Sequence, residues 1–336
     1  MYRFGIAGIP LGSKGRTVKD AVENTFQLGL NHLEIQLFRV SVQDRDLSEF
    51  VGMKPYDIDD MLLIELLRGD EEGNYNPIPL DSTIEEGDIG RELFWSMARD
   101  YKELKLAAEI AKELDVKITL HTPYYVDFAN DEKLINDSIL HTIWGGIIND
   151  ALGGEFIISH LGLIEGERKT TLKKTESSLR EILNRFNKLK IKSRLYIENS
   201  GHPDVLGTLE EIKKIEKDIK GIKGIINVAH LYSLESDKSY EKDFFIELIE
   251  NTKKEGRPLY FEFAGVEILE NGEHRFTPIK RGNLKFEPLA DAIADFDDEI
   301  TIISFSPLLE HDALYMKVIF ERSISRKIGK TIKPLP

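Results

Sequence analysis

Polar and apolar positions along the chain follow two alternating periods. Eight short runs rich in β-branched and aromatic residues have the length and composition of buried strands: Phe4–Ile9, Leu33–Phe38, Val116–His121, Phe156–His160, Leu195–Glu198, Ile225–His230, Leu259–Phe263 and Ile300–Phe305. Between them apolar residues recur at helical spacing, as in Val18–Leu28, Leu104–Leu114, Leu134–Asn149, Leu172–Phe186, Leu209–Ile219 and Phe244–Asn251. Strands that alternate with helices form parallel βαβ units, and eight such units close a barrel. The pattern therefore predicts an α/β protein, a single (β/α)8 barrel over residues 1–336. An open doubly wound sheet is the alternative, but GIAGIPLGSKG lacks the glycine spacing of its phosphate-binding turn.

One region breaks the rhythm. About fifty residues separate the second strand from the helix near Tyr101, where a connection of roughly 2–6 residues is usual. Within this 39–92 insertion Ile58–Arg68 reads as a short helix and Gly69–Gly90 as loop. The loop carries Asp70, Glu71, Glu72, Asp81, Glu85, Glu86 and Asp88 with no basic residue among them. Loops that follow barrel strands lie on the catalytic face. The insertion is thus expected to hang over the active site as an acidic lid, with a solvated excursion or a dimer contact as the alternatives.

Composition narrows the chemistry. The 336 residues are 41% hydrophobic, enough for a large core, and no apolar run approaches the roughly 20 residues of a membrane span. MYRFGIAGIP begins on a strand-like pattern without a basic region and cleavage site, which predicts an unexported, cytoplasmic protein. With no cysteine, a metal must be held by His, Asp and Glu, which favours borderline or hard divalent ions. A net charge of −14 opposes a broad nucleic-acid surface, though not a local one. Abundant Lys, Glu and Ile without Cys suits a thermophile.

Barrel strands present function at their C-terminal ends. Four consecutive ends here read HTPYY, ISHLG, IENSG and NVAHL, so His121, His160, Glu198 and His230 close neighbouring strands. Adjacent strand ends are about 4.8 Å apart, close enough for imidazoles and a carboxylate to converge on one ion. His32, His141, His202 and His311 fall off these positions and are assigned to the surface or to helix packing.

HTPYYVDFAN resembles a segment of archaeal endonuclease IV proteins, FGIAGIPLGSKGR their opening strand and loop, and FAGVE with SPLLEHDALYMK their last two motifs. The similarity runs in consistent order along the chain outside the insertion. It implies a barrel that carries three zinc ions and cleaves the phosphodiester 5′ to an abasic site in DNA, a repair hydrolase. It also implies metal-ligand roles for His121, His160, Glu198 and His230. Other ligand positions are altered. Asn227 replaces an aspartate, Glu262 takes the place of a histidine, the paired ligands of GEHRFTPIK fall near His274 and Phe276, and Phe305 replaces the final glutamate. Three ions need several carboxylates to offset their mutual repulsion. The expected cofactor is therefore one divalent ion (Zn, Fe or Mn) or none, on His121, His160 and Glu198 with His230 nearby. Glu262, His274 and Asn227 are further candidate ligands, and Glu198 and Glu262 the candidate catalytic groups. Tyr124 matches a tyrosine that packs into damaged duplex, and Lys14, Arg16 and Arg39 are candidate phosphate contacts.

Three functions follow. They are a metal-dependent phosphodiesterase acting on nucleic acid, a sugar isomerase or epimerase in which Glu198 or Glu262 moves protons, and a non-catalytic barrel that binds a small molecule or partner. The oligomeric state is not legible in the sequence.

Overall fold

The computed structural model describes residues 1–269 and 274–331. Its strands are β1 (Tyr2–Ala7), β2 (His32–Gln36), β3 (Ser41–Asp46), β4 (Leu63–Gly69), β5 (Tyr75–Ile78), β6 (Ile89–Phe94), β7 (Lys117–His121), β8 (Phe156–Ser159), β9 (Arg194–Glu198), β10 (Ile222–Asn227), β11 (Tyr260–Phe263), β12 (Gly265–Ile268), β13 (His274–Thr277) and β14 (Ile300–Ser304). The helices are α1 (Val18–Gln27), α2 (Tyr101–Glu113), α3 (Glu132–Ala151), α4 (Arg168–Leu189), α5 (Leu209–Asp218), α6 (Val228–Leu234), α7 (Lys242–Lys254), α8 (Glu287–Ile293) and α9 (Glu310–Thr331). β1, β14, β11, β10, β9, β8, β7 and β2 close in that order into a parallel barrel, the eight strands that the apolar runs predict.

Helix starts follow from local chemistry. Thr17 with Asp20 and Thr208 with Glu211 form capping boxes at α1 and α5, satisfying amide groups that a first turn leaves open. Side-chain alternation along the strands sorts the interior. One set, such as Leu33, Ile35, Ile157 and Leu195, packs outward against the helices in the main core. The other points into the barrel, where Ala7, Ile158, Tyr196, Ile225, Tyr260 and Ile303 form a separate apolar plug. His32, expected at the surface or in helix packing, belongs to this interior: it is 5% exposed, with Nε2 at 2.9 Å from Thr119 Oγ1 and its ring edge-on to Tyr260.

The insertion differs from expectation in form, charge and place. β3, β6, β4 and β5 make a four-stranded antiparallel sheet. Ile58–Arg68 is not helical: a short 3-10 turn at Pro55–Asp57 precedes β4. Leu63–Leu66 are all buried, and pairing on both sides overrides the helical preference of Leu and Glu. Gly69–Gly90, expected as loop, holds the β4–β5 turn, in which Gly73 takes φ 84°, then β5 and the start of β6.

Four of this segment's seven acids have partners. Asp70 accepts the amides of Glu72 and Asn74, Asp81 pairs with Lys190 at 2.9 Å, and Arg68, one residue outside the segment, grips both Glu85 and Asp88. The sheet lies along the outer helices. Trp144 of α3 donates to Glu65 of β4, and Pro77, Ile78 and Leu80 line a small void with Ile147, Asp150 and Ile191 near the end of α3 and the start of β9. Those residues belong to the barrel's base. Among the described residues none of 39–92 lines the cavities at the mouth.

Candidate metal centre

The inward alternation that ends each strand delivers the candidate groups to one level. His121 closes β7, His160 follows β8, Glu198 closes β9, Asn227 closes β10, Glu262 sits in β11 and Phe305 follows β14. Glu198 is the centre, with a side chain only 2% exposed. Its Oε2 lies 2.9 Å from His121 Nε2 and 3.3 Å from His160 Nε2, and its Oε1 lies 3.0 Å from His230 Nδ1. His230 does not extend β10 as the apolar run implies. It stands in the first turn of α6, whose N-cap is Asn227.

Asn227 has a role the sequence does not show. Its Nδ2 donates to Glu198 Oε1 at 2.6 Å and to Glu262 Oε2 at 2.8 Å, while its Oδ1 accepts the His230 amide as a helix cap. It therefore bridges two carboxylates and turns its amide nitrogen, not its oxygen, toward the cluster. His274 also falls away from the centre: it is exposed at the start of β13, on the wall of an outer cleft. Phe276 and Phe305 pack against each other and against His230, with ring centroids 5.0, 5.4 and 5.8 Å apart. One further buried acid escaped the sequence reading. Glu34 of β2 is 1% exposed and accepts from Tyr260 Oη at 2.7 Å. Its signal was a charge at an inward position of the apolar run Leu33–Phe38.

Burial and charge set the protonation. Thr122 O accepts at 2.6 Å from His121 Nδ1, which fixes the proton on Nδ1 and turns Nε2 toward Glu198. Burial opposes charge on His121, but the hydrogen bond and charge of Glu198 outweigh it and hold the pKa up at about 9. Burial prevails at His160, which His121 and His230 also push down, to about 4. Burial alone would raise Glu198, yet the surrounding histidines draw it well below the usual carboxylate range. Glu262 moves the opposite way, lifted well above that range by burial and by repulsion from Glu198 and Glu34.

His121, His160 and Glu198 each offer one ligand atom within 4.8 Å of the others. Ligands about 2 Å from a tetrahedral ion stand about 3.3 Å apart, so the observed spacings suit a shared cation. Glu262 is buried beside this set and, with its pKa raised, shares its proton with the Glu198 and Glu34 carboxylates. The donor set fits one divalent ion with open positions. It does not fit three, because Asn227 is turned away and phenyl rings occupy the positions at Phe276 and Phe305.

Above the centre lies a pit of about 120 Å³, opening into a cleft of about 1020 Å³. Tyr124, 78% exposed, stands where the two meet. Lys14, Arg16 and Arg39 are exposed on loops after β1 and β2 and line neither space. Among the described residues no Lys or Arg does.

A closed parallel barrel with a histidine–carboxylate cluster at its C-terminal mouth defines an α/β TIM barrel with a candidate metal site. Residues 88–311 match the model of the xylose isomerase-like TIM barrel family, and the chain belongs to that family. An uncharacterised protein of Methanocaldococcus jannaschii is 24% identical over 255 residues, covering 71% of this chain and 92% of its own. Endonuclease IV of Thermus thermophilus superposes with a TM-score of 0.61 at 15% identity, covering 96% of this chain and 99% of the other. The 3-keto-D-glucoside 4-epimerase of E. coli gives 0.58 at 10% identity, covering 95% and 100%. At these identities the two structures share the fold. No helix among the described residues is long and apolar enough to cross a membrane.

Proposed function

We propose that the protein is a one-metal enzyme of the isomerase or epimerase type, acting on a neutral polyhydroxylated substrate. The observation that carries this reading is the absence of Lys and Arg from the described lining of both pit and cleft. A phosphodiester substrate draws much of its affinity from charge neutralisation, which this lining does not supply. His121, His160 and Glu198 would hold a divalent ion, which polarises a substrate oxygen when bound. Glu262, which burial and repulsion from Glu198 and Glu34 push well above the usual carboxylate range in the metal-free protein, is the group we assign to move a proton, and Glu34 backs it from within the barrel.

The phosphodiesterase reading keeps one observation in its favour. The cleft is wide and Tyr124 projects from its edge, as a duplex-wedging ring would. Two assays on zinc- and manganese-loaded protein separate the readings: exchange of solvent deuterium into carbon-bound positions of ketoses, and cleavage of an abasic duplex. Exchange abolished by Glu262→Gln supports the proposal, whereas duplex cleavage without exchange refutes it.

A further inference from the structure

The pit and the cleft differ in size by a factor that constrains the ligand. Sites that enclose a whole small molecule usually offer about 300–1000 Å³. The pit, at about 120 Å³, admits only the reacting end of a ligand, while the cleft beyond it offers about 1020 Å³. Large apolar side chains stand exposed around that cleft: Tyr124 at 78%, Leu163 at 54%, Tyr125 at 47% and Phe276 at 39%. Such a concentration marks a binding surface.

The surface is also held rigid. Tyr124 meets Tyr125 edge-on at 5.4 Å, Tyr125 meets His141 at 6.2 Å, and His141 meets Trp144 at 5.0 Å, so the rim is braced down to the buried Trp144. Leu163 is tied to Val205 by an isolated β-bridge. The wall between carries Ser200 and Ser233, together with Asp127, whose carboxylate oxygens accept from Ala129 and Asn130.

We infer that the ligand is a neutral glycoside of at least two units, its reacting ring reaching into the pit and its second unit lying across Tyr124, Tyr125 and Leu163. This rests on the proposed function for the class of reaction and extends it by specifying what occupies the cleft. The chemistry the rim recognises is a flat C–H or aromatic face bearing no charge, which a sugar ring and an aryl aglycone share. Phosphorylated sugars and nucleic acid would lack cationic partners here.

Isothermal titration decides it with gluco-, galacto- and manno-configured ligands in three forms: free hexose, disaccharide and phenyl hexoside. At least one disaccharide or phenyl hexoside should bind about tenfold or more tightly than its free hexose, the worth of one aromatic platform. Tyr125→Ala with Leu163→Ala, both lining the cleft and not the pit, should bring that ratio close to one, leaving hexose affinity and metal content unchanged. Equal binding of all three forms, no glycoside binding at millimolar concentration, or a ratio untouched by the double variant would overturn the inference. A second series in chelated protein separates it from the metal reading. A glycoside preference that survives chelation supports the cleft assignment whatever the metal site proves to do, and a preference absent from metal-loaded protein refutes the cleft assignment alone.

Discussion

The two halves of the barrel mouth have the same backbone and opposite chemistry. Across β7, β8 and β9 the inward ends are His121, His160 and Glu198, three groups with lone pairs directed at one another. Across β10, β11 and β14 they are Asn227, Glu262 and Phe305, with Phe276 leaning in from the β12–β13 hairpin. The first half concentrates ligand atoms. In the second, an amide bridges the Glu198 and Glu262 carboxylates and two phenyl rings pack against His230. The electrostatics couple the halves, because drier surroundings on one side sharpen the pairing on the other. Glu198 is driven down and Glu262 up within a single network.

The largest effect should come from Glu198→Ala. It removes the only group shared by His121, His160 and His230 and leaves a protonatable histidine buried without its partner. Bound metal should fall at least 100-fold in affinity. The metal-free protein should lose about 3–5 kcal/mol, as when one member of a buried pair is deleted. Phe276→Ala, on the other half, should leave metal content as it was. Elemental analysis and urea midpoints test both variants, and similar metal loss in the two would erase the distinction between halves.

Refilling the second half is the converse. Asn227→Asp and Phe305→Glu, with Phe276→His and Glu262→His, should raise zinc content above one per chain. The two carboxylates alone should cost the metal-free protein about 1–3 kcal/mol, since they crowd negative charge around Glu198 and Glu34. Added zinc should reverse that loss, because binding to the folded state stabilises it. Thermal melts with and without zinc give the answer. A variant indifferent to zinc would mean that these positions do not face a common ion.

Most of this contrast was legible in residues. The eight apolar runs predict eight barrel strands, and His121, His160 and Glu198 emerge from strand ends alone. What the sequence concealed depends on orientation and on distant partners. Asn227 reads as a weak ligand because its type says nothing about which end faces the cluster. Glu34 passes for a strand residue because burial of a charge shows only once β2 is in register with β7. Lys190, over a hundred residues from Asp81, cannot be foreseen as its partner. The motif SPLLEHD, which carried part of the resemblance, proves to be a clamp. Glu310 accepts the amides of Leu11 and Gly12, and Asp312 accepts that of Ile279.

A smaller effect separates the halves by pH. With its pKa held up at about 9, metal-free His121 carries a proton at pH 7 that an incoming ion must displace. Apparent affinity should therefore climb about tenfold per pH unit from 7 to 9 and level off above. Folding linkage runs the other way. The His121 contribution to metal-free stability is fully present below its unfolded pKa of about 6.5 and is lost as pH rises through about 9. Proton release measured by titration in two buffers should be near one per metal at pH 7. A value near zero would place the His121 proton elsewhere.

The smallest effect should come from the insertion, which touches neither half. Its sheet leans on α3 and the barrel's base, and its Asp81–Lys190 pair is exposed on both sides. Exposed pairs of this kind contribute little. Lys190→Ala should accordingly leave the urea midpoint almost unchanged, with any difference fading in high salt. It should leave metal affinity and mouth ligand binding unchanged. Arg68→Ala is the harder test of the same separation. Arg68 is the shared partner of Glu85 and of Asp88, whose side chain is only 2% exposed, so its loss should destabilise the sheet by about 1–3 kcal/mol. If the insertion acts only as an external brace, metal content should not follow that loss of stability. A fall in metal affinity on Arg68→Ala, at temperatures where the barrel is still folded, would show that the insertion sets the position of β2 and β7, and with it the geometry of the ligand-bearing half.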